Sequence, residues 1–105
     1  MRTAVALMRL RIALGLLTAS ALPATAQDIE AGRQLAFQWC SSCHATGDRP
    51  AGNDAAPSFR SIAQRPDVTR LSLTVFLGTP HHRMPDYSLT RQEIADVSAY
   101  ILSMK

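Results

Sequence analysis

Beyond residue 27 the apolar residues recur every three or four positions and do not alternate, which predicts helices and no strands. A first helix is predicted from Asp28 to about Cys40, with Asp28 as the N-cap and Glu30 in the first turn. Its apolar positions at helical spacing form this stripe: Ile29, Gly32, Leu35, Ala36 and Trp39. This pattern favours an all-α domain.

Two shorter helices are predicted in the middle of the chain. One covers residues 59 to 64 and is stopped by Pro66. The other runs from about Arg70 to Leu77, with Thr69 as the N-cap and Gly78 at its C-terminal end. Its apolar face consists of Leu73, Phe76 and Leu77.

The last helix has the strongest start signal. Thr90 and Glu93 have the spacing of a capping box, and Leu89 and Ile94 have the spacing of a hydrophobic staple. The stripe predicted to be buried is Ile94, Val97, Tyr100 and Ile101. Irregular loops are expected at residues 45 to 58 and 79 to 88.

Residues 1 to 26 have the organisation of a secretory signal peptide. Three arginines precede a short apolar run, and Ala24-Thr25-Ala26 supplies small residues for cleavage before Gln27. The run is too short to span a bilayer well, so no stable membrane insertion is expected after cleavage. An uncleaved amphipathic anchor is the alternative.

Cleavage would change the charge balance. The whole chain has 11 basic and 8 acidic residues, and three of the arginines lie in the first 26 residues. The remaining 79 residues, 27 to 105, therefore have eight charges of each sign. This balance does not indicate nucleic-acid binding. A single domain of this size has a thin core and needs a staple such as a cofactor.

Residues 40 to 44 read Cys-Ser-Ser-Cys-His, the attachment signature of a c-type haem. Cys40 and Cys43, the only cysteines of the chain, can add across the two haem vinyl groups to form thioether bonds. His44 can then ligate the iron from the proximal side. One covalent haem c is therefore the expected cofactor.

Three other readings of the two cysteines remain open. A thioredoxin-like redox pair expects a βαβ context, which the pattern lacks. A zinc site would need two more ligands, and outside the motif the only imidazoles are those of His81 and His82. A disulfide between Cys40 and Cys43 would leave His44 without a role.

The candidates for the sixth iron ligand are His81, His82, Met84 and Met104. Met84 is favoured because it lies in a loop before Pro85, where the backbone is extended, and because a thioether suits ferrous iron. At high pH the neutral imidazoles of His81 or His82 are expected to displace it.

Residues 28 to 104 resemble a small class I bacterial cytochrome c. The matching features are Gly32 eight residues before Cys40, the attachment motif, Pro57, Met84-Pro85, and Ala99-Tyr100 in the last helix. The resemblance implies that the first and last helices cross at Gly32 with Tyr100 packed over it, and that loops enclose the haem. It also implies that the Pro57 carbonyl accepts a hydrogen bond from His44. Ala36 departs from the family, which often has an aromatic residue there, and Phe37 or Trp39 would supply that packing.

These features favour a periplasmic electron carrier, not an enzyme, with His44 and Met84 as axial ligands. Its expected partners are membrane or periplasmic oxidoreductases, and it is expected to be a monomer. One alternative is a haem subunit or dedicated acceptor of a periplasmic dehydrogenase complex. Another is a ligand-binding or peroxidatic haem protein with an open distal side.

Overall fold

The computed structural model describes residues 26–47, 50–51, 56–80 and 83–105. Helix α1 covers Ile29–Leu35 and continues as a π-helical segment, Ala36–Cys40. Helices α2, α3 and α4 cover Phe59–Ala63, Arg70–Leu77 and Arg91–Leu102. Within these ranges there is no strand, only an isolated bridge at Met84. The all-α prediction is confirmed.

Short-range hydrogen bonds set the starts of the helices. Asp28 caps α1 by accepting from the main-chain N–H groups of Glu30 and Ala31 at 2.9 and 3.0 Å. Thr90 and Glu93 form the predicted capping box of α4. Thr69 caps α3 as predicted, in a box whose other member is Ser72. These caps depend on residues within one turn, which is why the sequence predicted them correctly.

Helices α1 and α4 cross at Gly32, which is buried. A Cβ at this position would overlap the main-chain carbonyl of Asp96 and would lie 2.9 Å from the nitrogen of Val97. The crossing is therefore a main-chain contact that only glycine permits. Beside it, the buried Asp96 carboxylate accepts hydrogen bonds from the Asp28 N–H and from Gln92 Nε2, both at 2.8 Å.

The core lies on one face of α4. All four residues of the predicted stripe are buried, and Met104 joins them at the chain end. The core cluster contains Val97, Tyr100, Ile101 and Met104. Its other members come from the π-helical segment, α2, α3 and the segment between α2 and α3: Ala36, Phe59, Ala63, Leu73 and Val68. One side of this core remains open as a cavity.

The predicted stripe of the first helix is only partly correct. Gly32 and Ala36 are buried, whereas Ile29 is 50% and Trp39 42% exposed. The π-helical segment explains Trp39, since its wider i→i+5 turn rotates residues after Ala36 off the stripe. Neither aromatic residue supplies the expected core packing. Arg33 covers the ring of Phe37 at 4.8 Å, and Trp39 contacts Tyr87.

Among the described residues, no helix is long and apolar enough to cross a membrane. The predicted signal peptide falls almost entirely on residues 1–25, which lie outside the described residues.

Candidate haem site

A cavity of about 490 Å³ opens between the end of the π-helical segment, α2, α3 and the loop before α4. Its lining is mostly apolar, with Leu73 and Val97 at its inner wall. Cys40, His44 and Met84 all line it. The volume falls within the range of about 300–1,000 Å³ that is usual for cofactor pockets.

The two cysteines lie on a tight turn that follows the π-helical segment. The N–H groups of Cys43 and His44 both donate to the carbonyl of Cys40, at 3.1 and 2.9 Å. Cys40 lines the main cavity, and Cys43 lines a smaller pocket that adjoins it. The motif thus places both sulfur-bearing residues at one end of the apolar space.

Both thiols are free, so the disulfide alternative is not formed in this structure. Burial raises the pKa of the Cys40 thiol to about 11, and the neighbouring Cys43 adds to the rise. A thioredoxin-like pair needs a lowered thiol pKa, because the thiolate is the reactive form. The environment of Cys40 therefore disfavours that alternative.

His44 is held from behind by main chain. Its Nδ1 lies 2.6 Å from the carbonyl oxygen of Pro57. This bond makes Nδ1 the donor, which leaves Nε2 with its lone pair available to a metal. The imidazole also packs against Phe59, with ring centroids 5.3 Å apart. The Phe59 N–H donates to the Ala45 carbonyl at 2.9 Å, which ties the start of α2 to the motif.

The two candidate methionines lie in different places. Met84 is half-buried and lines both the main cavity and the smaller pocket. Met104 is 9% exposed, belongs to the core, and has its Cε near Gly47. The geometry places Met84, and not Met104, in the same cavity as His44. His81 and His82 lie outside the described residues.

The described part of the chain contains no group of three or more His, Cys, Asp or Glu side chains that could hold a metal ion. The described residues therefore give no support to a zinc site at the two cysteines. The apolar cavity, the paired cysteines and the oriented imidazole instead suit a porphyrin, whose iron needs only axial donors from the protein.

Comparisons with known proteins identify the family of this chain. Residues 29–105 match the family model of cytochrome c. The chain belongs to the cytochrome c family. A cytochrome c-552 from Bradyrhizobium diazoefficiens is 44% identical over 88 residues, which cover 82% of this chain and 84% of that protein. No solved structure gives a significant match.

Cytochromes c of this family carry a covalent c-type haem and transfer electrons, and Cys40 and Cys43 fit the attachment motif. This chain is a small class I c-type cytochrome, as the sequence resemblance indicated. Its all-α fold agrees with that class.

Sequence reasoning missed a residue at the mouth of the cavity. Tyr87 lines both the main cavity and the smaller pocket, and its ring packs against Trp39. The sequence did contain a signal, because Trp39 immediately precedes the attachment motif and Tyr87 follows Met84 by three residues. Local patterns do not reveal that an aromatic residue of the π-helical segment meets one in the loop before α4.

Proposed function

We propose that this cytochrome is a periplasmic electron carrier whose single haem is ligated by His44 and Met84. The observation that carries the proposal is that both side chains line the same cavity, next to Cys40. The hydrogen bond from His44 to Pro57 further supports it, because it leaves Nε2 to face a metal.

A haem in this cavity would supply a one-electron couple at its iron. The protein's residues would tune that couple in three ways. The Pro57 carbonyl would increase the basicity of the His44 imidazole. The Met84 thioether is a soft donor that favours ferrous iron. The apolar lining would disfavour the additional positive charge of the ferric state.

The proposal includes export. Residues 1–26 would be removed as a signal peptide, so that the mature protein begins at Gln27. Haem c is attached outside the cytoplasm, where the two cysteines would react with the vinyl groups. The mature protein would then be a monomer that meets membrane or periplasmic oxidoreductases in brief encounters.

The test of ligation compares two methionines by replacement with leucine, which removes the sulfur and nearly conserves the volume. In haem-loaded ferric protein, Met84→Leu should abolish the weak far-red charge-transfer band, lower the reduction potential and allow cyanide to bind. Met104→Leu should keep the band, because Met104 lies in the core. The reverse pattern would assign ligation to Met104.

Covalent attachment has its own test. Denaturing mass spectrometry of protein from a haem-maturing host should show one haem on a chain that begins near Gln27. Cys40→Ser and Cys43→Ser should each leave one thioether, and the double variant should release its haem to acidified organic solvent. Release of haem from the wild-type protein under these conditions would contradict attachment at both cysteines.

One observation favours a second function, that of a haem subunit or dedicated acceptor in a periplasmic dehydrogenase complex. On α3, Leu71 is 73% and Val75 59% exposed, and neither lines the cavity. Residues four apart lie on the same face of a helix, so the two form an apolar strip. A pull-down from a periplasmic extract separates the two functions. A subunit of the complex would retain a stoichiometric dehydrogenase through washing in high salt. The Leu71→Asp variant would release that dehydrogenase.

A further inference from the structure

The rings of Trp39 and Tyr87 pack against each other at the mouth of the cavity. Their centroids are 5.3 Å apart and their planes are inclined by 43°. Both side chains line the main cavity and the smaller pocket, yet they remain 42% and 37% exposed. The pair therefore forms part of the rim, where the cavity meets solvent.

Trp39 belongs to the segment that leads into the attachment cysteines, and Tyr87 belongs to the segment that carries Met84. Trp39 lies in the π-helical segment, immediately before Cys40. Tyr87 lies in the irregular segment before α4, three residues after Met84. The aromatic contact thus joins the attachment turn directly to the loop that bears the thioether.

A local turn sets the path of the chain at Tyr87. The carboxylate of Asp86 accepts a hydrogen bond from the N–H of Ser88 at 2.8 Å. Ser88 has φ of 52°, in the left-handed region that residues other than glycine seldom adopt. Such a backbone persists only where surrounding contacts hold it. Asp86 and Ser88 flank Tyr87, so this turn holds the main chain at the residue whose ring contacts Trp39.

We propose that Trp39 and Tyr87 are positioning residues for the distal ligand, acting as an aromatic clasp. The inference rests on the proposed ligation by Met84. Movement of the loop that takes the thioether off the iron would also separate the two rings, which removes the favourable contact between them. The clasp therefore slows opening of the distal side while leaving the identity of the ligand unchanged.

The experiment measures how fast imidazole binds to the ferric haem-loaded protein, at saturating imidazole, where loss of Met84 from the iron limits the rate. Tyr87→Leu and Trp39→Leu should each bind about two- to tenfold faster, the range expected for loss of one aromatic pair. Tyr87→Phe keeps the ring and should bind at the wild-type rate. Leu71→Ala, an exposed apolar truncation outside the cavity, is the matched control and should also bind at that rate.

A general loss of packing would give a different pattern. If the rings act through each other, the double Leu variant should be no faster than the faster single variant. The far-red band should persist in every variant, and urea midpoints should not rank the variants in the order of their imidazole rates. Additive rate increases, or increases that follow the urea midpoints, would overturn the clasp.

Failure of the clasp and failure of the ligation proposal give distinct results. If wild-type protein shows the far-red band but both Leu variants bind imidazole at its rate, the clasp alone is wrong. If wild-type protein lacks the band and Met84→Leu changes nothing, the ligation proposal is wrong and the clasp is overturned with it.

Discussion

The hydroxyl of Tyr100 donates a hydrogen bond to the main-chain carbonyl of Thr46, 54 residues earlier in the chain. Thr46 is fully buried and Tyr100 is 7% exposed. Since Thr46 follows His44 by two residues, this bond ties the haem motif to α4. Gly47 makes the approach possible, because its φ of 109° suits glycine and a Cβ there would meet the Tyr100 hydroxyl.

Tyr100→Phe should therefore destabilise the haem-loaded protein by about 1–3 kcal/mol, since it leaves a buried carbonyl without a donor. Urea unfolding followed by circular dichroism measures the change. Tyr87→Phe is the matched control, because Tyr87 is 37% exposed and solvent can replace a lost hydroxyl contact. Equal midpoints for the Tyr100 and Tyr87 variants would show that the bond to Thr46 contributes nothing.

Gly32→Ala should destabilise the protein by about 1–3 kcal/mol or more, because its Cβ would push α1 away from the backbone of Asp96 and Val97. The sign of the stability change is diagnostic, because replacing glycine by alanine at an exposed position within a helix usually stabilises a protein by up to about 1 kcal/mol. The urea midpoint should fall. Gly78→Ala is the milder comparison, because its closest main-chain contact would be at 3.0 Å. A raised midpoint for Gly32→Ala would mean that α1 and α4 do not cross as described.

The contribution of Glu30 to the stability of the protein should depend on pH. Its pKa is lowered from 4.5 to about 2, chiefly by the hydrogen bonds from Arg33 and then by that from Gln34. A lowered folded pKa means that the stabilising contribution is fully present above pH 4.5 and is lost as pH falls towards 2. The difference in urea midpoint between wild type and Glu30→Gln should shrink through that window.

The effect of Glu30 should be small, because the ion pair with Arg33 is exposed and salt screens it. High salt at pH 6 should shrink the same difference. A difference that persisted unchanged to pH 2 would show that it arises from helix propensity and not from the charge of Glu30.

Docking to redox partners should depend little on salt. The only lysine after residue 26 is Lys105, and its Nζ donates to the Val68 carbonyl at 3.1 Å. Arg33 and Arg65 form ion pairs with Glu30 and Asp67. With eight charges of each sign, long-range steering should be weak.

The association rate with the physiological acceptor should accordingly change by less than about threefold between low and moderate salt. Stopped-flow kinetics at several ionic strengths measure it. Arg83 lines the mouth of the cavity, and Arg83→Gln tests whether one cation there orients the approach. A steep fall in rate with salt would show that the arginines act as a cluster.

The sequence predicted those features that depend on neighbouring residues. The caps at Asp28, Thr69 and Thr90 were correct because each is satisfied within one helical turn. The predicted end of α2 was one residue too long, since Gln64 is its C-cap. The motif from Cys40 to His44 is equally local, and it predicted the haem cofactor without information on the fold.

Only the tertiary structure decided how these local pieces meet. Helical spacing alone placed Trp39 on the buried stripe, but the π-helical segment and the packing of α1 on α4 turn it outward to Tyr87. The hydrogen bond from Tyr100 to Thr46 joins residues 54 positions apart. His44 and Met84, which are 40 positions apart, line one cavity. Local spacing contains no information on such distances, because they are set by the close approach of two helices at Gly32 and by the apolar space that the remaining elements leave open.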